Sequence, residues 1–369
     1  MSYSKFASLT SIILAASLFT ACGSPSISSI GSDAGSAQSL EDNQSSSNVS
    51  IEDISSEAPS LSLDESSDTS NSQSSASAST TEEYEVVKDP YGGGNEPVPD
   101  GDLQLVFIGD SQFDRWRNSG TSISELVGED MNALHYNLGI GGTCAAIERT
   151  QSGINTSSDD NDYEEANFTA ICHMLKGDLS PSSYENVLDE EFTSVLYSID
   201  PQKVDYYIIE YGYNDYYMGL DMYNEDDPYD EHTYYGALNL GIKMLKEISP
   251  SAHFIICTPC YCRFYNGSGQ DMGDAYNVTK GIGSLAFYAD YALRLADDIG
   301  ARKLDAISGT TFNLNSYTYS EYLEDNVHLS YKGRQVYAKA LRRIILDDMG
   351  IYNSEGEGDI NTMLSIADF

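Results

Sequence analysis

Four short apolar runs punctuate the chain after its first hundred residues, at 103–108, 135–140, 204–211 and 253–258. The first, third and fourth are apolar almost without a break and do not alternate. That pattern suits parallel strands buried on both faces. Between the runs lie amphipathic stretches at 122–134, 184–199, 234–248 and 282–299, with a last one at 332–349. In the second of these, Val187, Leu188, Phe192, Val195, Leu196 and Ile199 recur at helical spacing. Strands alternating with helices predict a doubly wound α/β domain with a mainly parallel sheet. A fifth, weaker strand is expected at 302–306. No repeat of fixed period is visible.

The N-terminal part reads differently. Lys5 precedes an apolar run, Ile12 to Phe19, too short to span a bilayer as a mature helix. A charged start, an apolar middle and a small-residue end predict a secretory signal over 1–22. Leu18-Phe19-Thr20-Ala21-Cys22 resembles a bacterial lipobox, which implies lipidation of Cys22 and a lipid anchor at the cell surface. Residues 23–83 are dominated by Ser with Asp, Glu, Asn and Ala, and hold no Lys or Arg. Such a composition cannot offset its ordering entropy by burial, so a disordered tether is expected there. As a flexible coil it would reach about 40–50 Å. The folded domain is then expected over 84–369.

Composition narrows the partners. The 369 residues carry 58 acids against 19 Lys and Arg, a formal net charge of -39. Nucleic-acid binding needs clustered cations and is excluded on this ground. Docking on anionic headgroups is disfavoured likewise, leaving the lipid anchor as the expected membrane contact.

Ligands of open α/β sheets bind beyond the carboxyl ends of the strands, so the residues there carry the candidate chemistry. Gly109-Asp110-Ser111-Gln112 follows the first strand. Asn137-Leu138-Gly139-Ile140-Gly141-Gly142-Thr143 lies at the end of the second, and its glycines let backbone N–H groups approach a ligand. Gly212-Tyr213-Asn214-Asp215 follows the third and offers a side-chain amide. Asp325-Asn326-Val327-His328 stands before the last helix. A carboxylate three residues before a His can fold back and hold Nδ1–H, leaving Nε2 as a base. These parts suffice for acyl transfer, with Ser111 as nucleophile, His328 as base and Asp325 as orienting acid. The oxyanion donors are expected to be the N–H groups of Ser111 and Gly142 and the amide of Asn214. A Ser after a strand is also a common helix cap; the companion blocks are what favour the nucleophile.

The four blocks, in this order, make the chain resemble the SGNH/GDSL hydrolases over residues 102–348. The name residues of that family correspond to Ser111, Gly142, Asn214 and His328. Gly-Asp-Ser-Gln varies its Gly-Asp-Ser-Leu, and Gly-Tyr-Asn-Asp matches its Gly-x-Asn-Asp. The resemblance implies a flavodoxin-like three-layer α/β/α sandwich and hydrolysis of esters or thioesters without metal or cofactor. The absence of Gly-x-Ser-x-Gly around Ser111 argues against the larger α/β-hydrolase group.

Other features are weighed against plainer readings. Cys257-x-x-Cys260-x-Cys262 lacks a matching second cluster, so a disulfide involving Cys260 or Cys262 is expected before a zinc site, with entirely free thiols as the alternative. The acidic stretches at 159–162 and 225–227 do not fit an EF-hand loop and read as solvated surface. Tyr is abundant, 28 against 11 Phe and one Trp. Its clusters at 211–235 and 317–331 are expected to surround the site mouth and to suit sugar rings. The reading is a surface-anchored serine esterase acting on O-acylated carbohydrate. The alternatives are a lipid or lysophospholipid esterase or thioesterase, and a non-catalytic glycan- or solute-binding lipoprotein.

Overall fold

The computed structural model describes residues 102–147, 166–184 and 188–350. The expected signal, Cys22, the tether and the start of the expected 84–369 domain lie outside the described residues, as does the acidic stretch at 159–162. Among the described residues no helix is long and apolar enough to cross a membrane.

The described chain runs β1 (Gln104–Gly109), α1 (Ser111–Asp114), α2 (Ile123–Met131), β2 (Leu134–Gly139), α3 (Phe168–Lys176), α4 (Glu190–Ser198), β3 (Tyr206–Glu210), α5 (Tyr213–Met218) and α6 (Tyr234–Ile248). It continues with β4 (His253–Cys257), β5 (Arg263–Tyr265), β6 (Asp271–Asp274), β7 (Thr279–Lys280), β8 (Gly283–Ser284), α7 (Leu285–Ile299), β9 (Arg302–Leu304), α8 (Tyr319–Tyr322) and α9 (Tyr331–Asp348). The central sheet has five strands in the order β2-β1-β3-β4-β9, all pairings parallel. α2 packs with α9, and α3 with α6, which also meets α7. β1 connects outward to β2, whereas the later strands step the other way from β3. The order therefore reverses between β1 and β3, the place where ligands of such sheets bind.

The continuous apolar runs explain the core. Every residue of β3 is buried, as are Leu105 to Gly109 of β1. Helices start where caps allow. Ser122 caps α2 reciprocally with Glu125, and Asp189 accepts from the Phe192 N–H. That cap starts α4 at Glu190, later than the expected 184–199 stretch. The 234–248 stretch is a helix over its full length. The front of 282–299 is the short β7–β8 ribbon rather than helix.

Two expectations are corrected. The five described cysteines, Cys144, Cys172, Cys257, Cys260 and Cys262, are all buried free thiols, with no bridge at Cys260 or Cys262. Each packs as a small hydrophobe. Much of the tyrosine is core, not mouth. Tyr211, Tyr216, Tyr234 and Tyr322 are fully buried, and Tyr216 and Tyr234 both pack on Tyr288. Their hydroxyls find backbone partners where they can: Tyr234 donates to Tyr211 O at 2.8 Å, and Tyr216 to Val278 O at 3.1 Å. Tyr therefore replaces Phe as a large core residue with a polar tip. Tyr213, Tyr217, Tyr319 and Tyr331 stay half-buried.

Candidate active site

β1 passes into α1 with no loop between them. A Cβ on Gly109 would lie 2.6 Å from the Glu210 carbonyl oxygen and 2.7 Å from the Phe113 ring, so only Gly fits the turn. Asp110 caps α1, its Oδ1 accepting from the Gln112 N–H at 3.0 Å. Ser111 is thus the first residue of a short helix at the carboxyl end of β1, with its side chain half-buried.

The opposing loop is built by one carboxylate. Asp325 Oδ1 accepts from the N–H groups of Val327 and His328, both at 2.7 Å. Asp325 Oδ2 lies 2.7 Å from His328 Nδ1. Glu324 N–H donates to His328 O at 2.9 Å and closes the turn. His328 Nε2 then stands 2.9 Å from Ser111 Oγ. One proton assignment suits both contacts: Nδ1–H donates to Asp325, and bare Nε2 accepts from the Ser111 hydroxyl. Partial burial raises the pKa of Asp325. The hydrogen bonds from the His328 ring and from the His328 and Val327 N–H groups outweigh that burial and hold the carboxyl well below the usual carboxylate range.

Three residues not singled out from sequence complete this arrangement. Gln112 is buried and spans the two ends of the chain. Its Nε2 donates to Val327 O at 2.9 Å, and its Oε1 accepts from Leu329 N–H at 3.4 Å. The only sequence signal was that Gln stands where the resembled block has Leu. Arg115 pairs with Glu324 at 3.0 Å and with Asp325 at 3.3 Å. Its Nη1 also comes within 2.8 Å of His328 Nδ1. With the Nδ1 proton directed to Asp325, that last contact is a close approach of charge to ring and not a hydrogen bond. Glu210, at the end of β3, is fully buried beneath the site. Burial first, and the neighbouring Asp110 carboxyl second, push its pKa well up. Burial likewise raises Asp110.

The glycine-bearing loop after β2 is tied down on both sides. Asn137 Nδ2 donates to Phe113 O at 2.6 Å. Asp114 accepts from the Gly141 N–H at 2.9 Å, so that N–H is already engaged. Gly142 has φ +84° and open space where a Cβ would stand. The N–H groups of Ser111 and Gly142 have no hydrogen-bond partner among the described residues. Asp215, buried in α5, accepts from the N–H groups of Ala145 and Ala146 at 3.0 and 2.9 Å. Burial raises its pKa to about 7 against the pull of those bonds. Asn214 is at the same site, but its amide is occupied. Nδ2 donates to Thr143 O at 2.9 Å and to Asp110 Oδ2 at 3.2 Å. Service to an oxyanion requires it to release one of them, the longer bond to Asp110 being the weaker.

All five sequence-derived residues, Ser111, Gly142, Asn214, Asp325 and His328, therefore converge at the switch point. Such a relay can move a proton from a hydroxyl to an imidazole, with two backbone donors left unengaged among the described residues. Among the described residues no group of three or more His, Cys, Asp or Glu is arranged to hold a metal.

No family model and no curated protein matches the chain. Similar solved structures include a possible lipase from Chitinophaga pinensis, at 16% identity and a TM-score of 0.44, over 68% of this chain and 100% of that one. A salicylyl-acyltransferase from a tetracycline biosynthetic pathway is similar at 12% identity and a TM-score of 0.40, over 70% of this chain and 56% of that one. An acetyl xylan esterase is similar at 16% identity and a TM-score of 0.38, over 64% of this chain and 96% of that one.

Proposed function

We propose that the protein is a serine esterase of the SGNH/GDSL type, cleaving acyl esters of carbohydrate through an acyl-enzyme. The observation that carries this reading is the Ser111–His328–Asp325 relay, with steps of 2.9 and 2.7 Å. Ser111 Oγ attacks the ester carbonyl as its proton passes to His328 Nε2. Asp325 stabilises the imidazolium that forms. The tetrahedral oxyanion is held by the N–H groups of Ser111 and Gly142, joined by Asn214 once it releases Asp110. The imidazolium returns its proton to the leaving alcohol, and water then repeats the sequence on the acyl-enzyme to release the acid.

The carbohydrate part rests on the rim. The half-buried rings of Tyr217, Tyr213 and Phe264 lie nearly parallel in sequence, with interplanar angles of 16° and 10°. Tyr213 adjoins Asn214, and Arg263, beside Phe264, donates its N–H to Asn326 O in the triad loop at 3.0 Å. Flat faces with polar edges suit sugar rings. The lipobox-like segment supports a cell-surface location through lipidated Cys22. Release of a Cys22→Ala protein into the medium would be the expected sign of that anchor.

The test is acetate release from p-nitrophenyl acetate and from acetylated xylan by the protein and its Ser111→Ala variant. A loss of about 10³-fold or more in the variant is expected. Equal activity in both forms would remove Ser111 from the chemistry. Preference for long-chain esters over xylan would move the substrate to lipid.

A further inference from the structure

The chain has a single tryptophan, Trp116, and its placement is unusual. It follows Arg115, whose guanidinium touches Asp325 and Glu324. Its backbone sits at φ +65°, a region that a bulky L-residue rarely enters without a reason in the surrounding structure. Asn118 is also left-handed at φ +58°, and Ser119 N–H donates back to Trp116 O at 3.1 Å. This tight turn swings the indole outward.

The ring is then fixed on two sides. Its Nε1–H donates to the Glu324 carboxylate, at 3.2 and 3.1 Å to the two oxygens. The Arg334 guanidinium lies 5.0 Å from the ring centroid. Arg334 is itself buried and immobilised, donating from Nε to Thr121 O and from Nη1 to Leu329 O, both at 2.7 Å. Even so, 48% of Trp116 remains exposed. The fold holds a large apolar ring rigidly, at a backbone cost, while leaving about half of it in water. Hydrophobic burial does not explain that expense. Glu324, which holds the indole, immediately precedes Asp325, so the ring stands on the outer flank of the triad loop.

We propose that Trp116 is a substrate platform on which a neutral sugar ring of the acylated glycan stacks. This rests on the esterase reading above and specifies where the polymer lies. The apolar C–H face of a pyranose fits a flat indole, and a ring fixed in advance loses little entropy on binding. The net charge of -39 and the neighbouring Glu324 and Asp325 favour a neutral glycan over a polyuronate.

The single tryptophan makes the test direct. The Ser111→Ala full chain is titrated with acetylated xylo-oligosaccharide while its tryptophan emission is followed. A saturable blue shift is expected, because no other indole contributes. In the wild-type background, Trp116→Ala is expected to lower kcat/KM for the oligosaccharide about tenfold relative to that for p-nitrophenyl acetate, through KM. Trp116→Tyr should recover most of the loss. Deacetylation of the oligosaccharide by wild type with no emission change would overturn the platform and leave the esterase standing. An equal fall of kcat on both substrates in Trp116→Ala would also overturn it, showing a packing role beneath the triad loop. If Trp116→Ala does not fold, the titration decides alone. No acetate from any acetylated sugar in wild type overturns the carbohydrate reading, and the platform with it.

Discussion

Replacing Glu210 by Gln should stabilise the protein at neutral pH, and the gain should depend on pH in a calculable way. Glu210 is fully buried, and the Asp110 carboxyl is its side-chain hydrogen-bonding neighbour, a bond that exists only while Glu210 keeps its proton. An unpaired carboxylate there would cost several kcal/mol, so the native protein keeps the group protonated. Burial and the adjacent Asp110 act in that same direction. The unfolded chain releases this proton above its ordinary pKa of 4.5. The native state therefore binds the proton more tightly, and stability is lost as pH rises above that value. The loss grows by about 1.4 kcal/mol per pH unit over the range in which the native group keeps its proton. Gln has nearly the same shape and no proton to lose, so its variant escapes this term. Urea unfolding of both proteins at pH 5, 6 and 7 measures the difference. The variant should gain progressively with pH, at unchanged m-value. Asp215 titrates in both proteins and cancels to first order, while the Gln amide can still donate to Asp110 in place of the Glu210 hydroxyl. A stability difference that is flat from pH 5 to 7 would refute the reasoning, since it would mean an ionised or solvated Glu210.

Two further outcomes follow from the same corner of the molecule. Asn214→Ala should lower kcat on p-nitrophenyl acetate by about 10²–10³, measured in steady state, because it removes an oxyanion donor together with the amide's bonds to Thr143 O and Asp110. Gly109→Ala should cost about 3 kcal/mol or more and lower Tm by roughly 6–12 °C, read by thermal unfolding, because its Cβ meets the Glu210 backbone at 2.6 Å.

The buried parallel sheet was legible in the sequence because its strands must be apolar on both faces. β1, β3 and β4 stand out for that reason, and even the short β9 falls within the expected 302–306 segment. The α1 and α5 helices were not legible. Each is short and begins at a functional turn, Asp110-Ser111 or Gly212-Tyr213, where apolar periodicity has no room to show. The tyrosines misled because a Tyr reads as amphipathic in sequence, whereas Tyr216 and Tyr234 reach backbone acceptors inside the core. The candidate Ser, His and Asp were legible as motifs. Gln112 and Arg115 were not, since their work is to join segments more than 200 positions apart, which local spacing cannot reveal.

The distance along the chain between Ser111 and His328, 217 positions, also sets when activity can arise. A growing polypeptide holds the serine early, but lacks its base for a further 217 positions. Even then the base loop is steadied only when Gln112 grips Val327 and Leu329 and α9 packs with α2. Competence to cleave thus waits on segments made long after the serine. By the same logic, clipping within α9 should silence the molecule while much of the sheet stays intact.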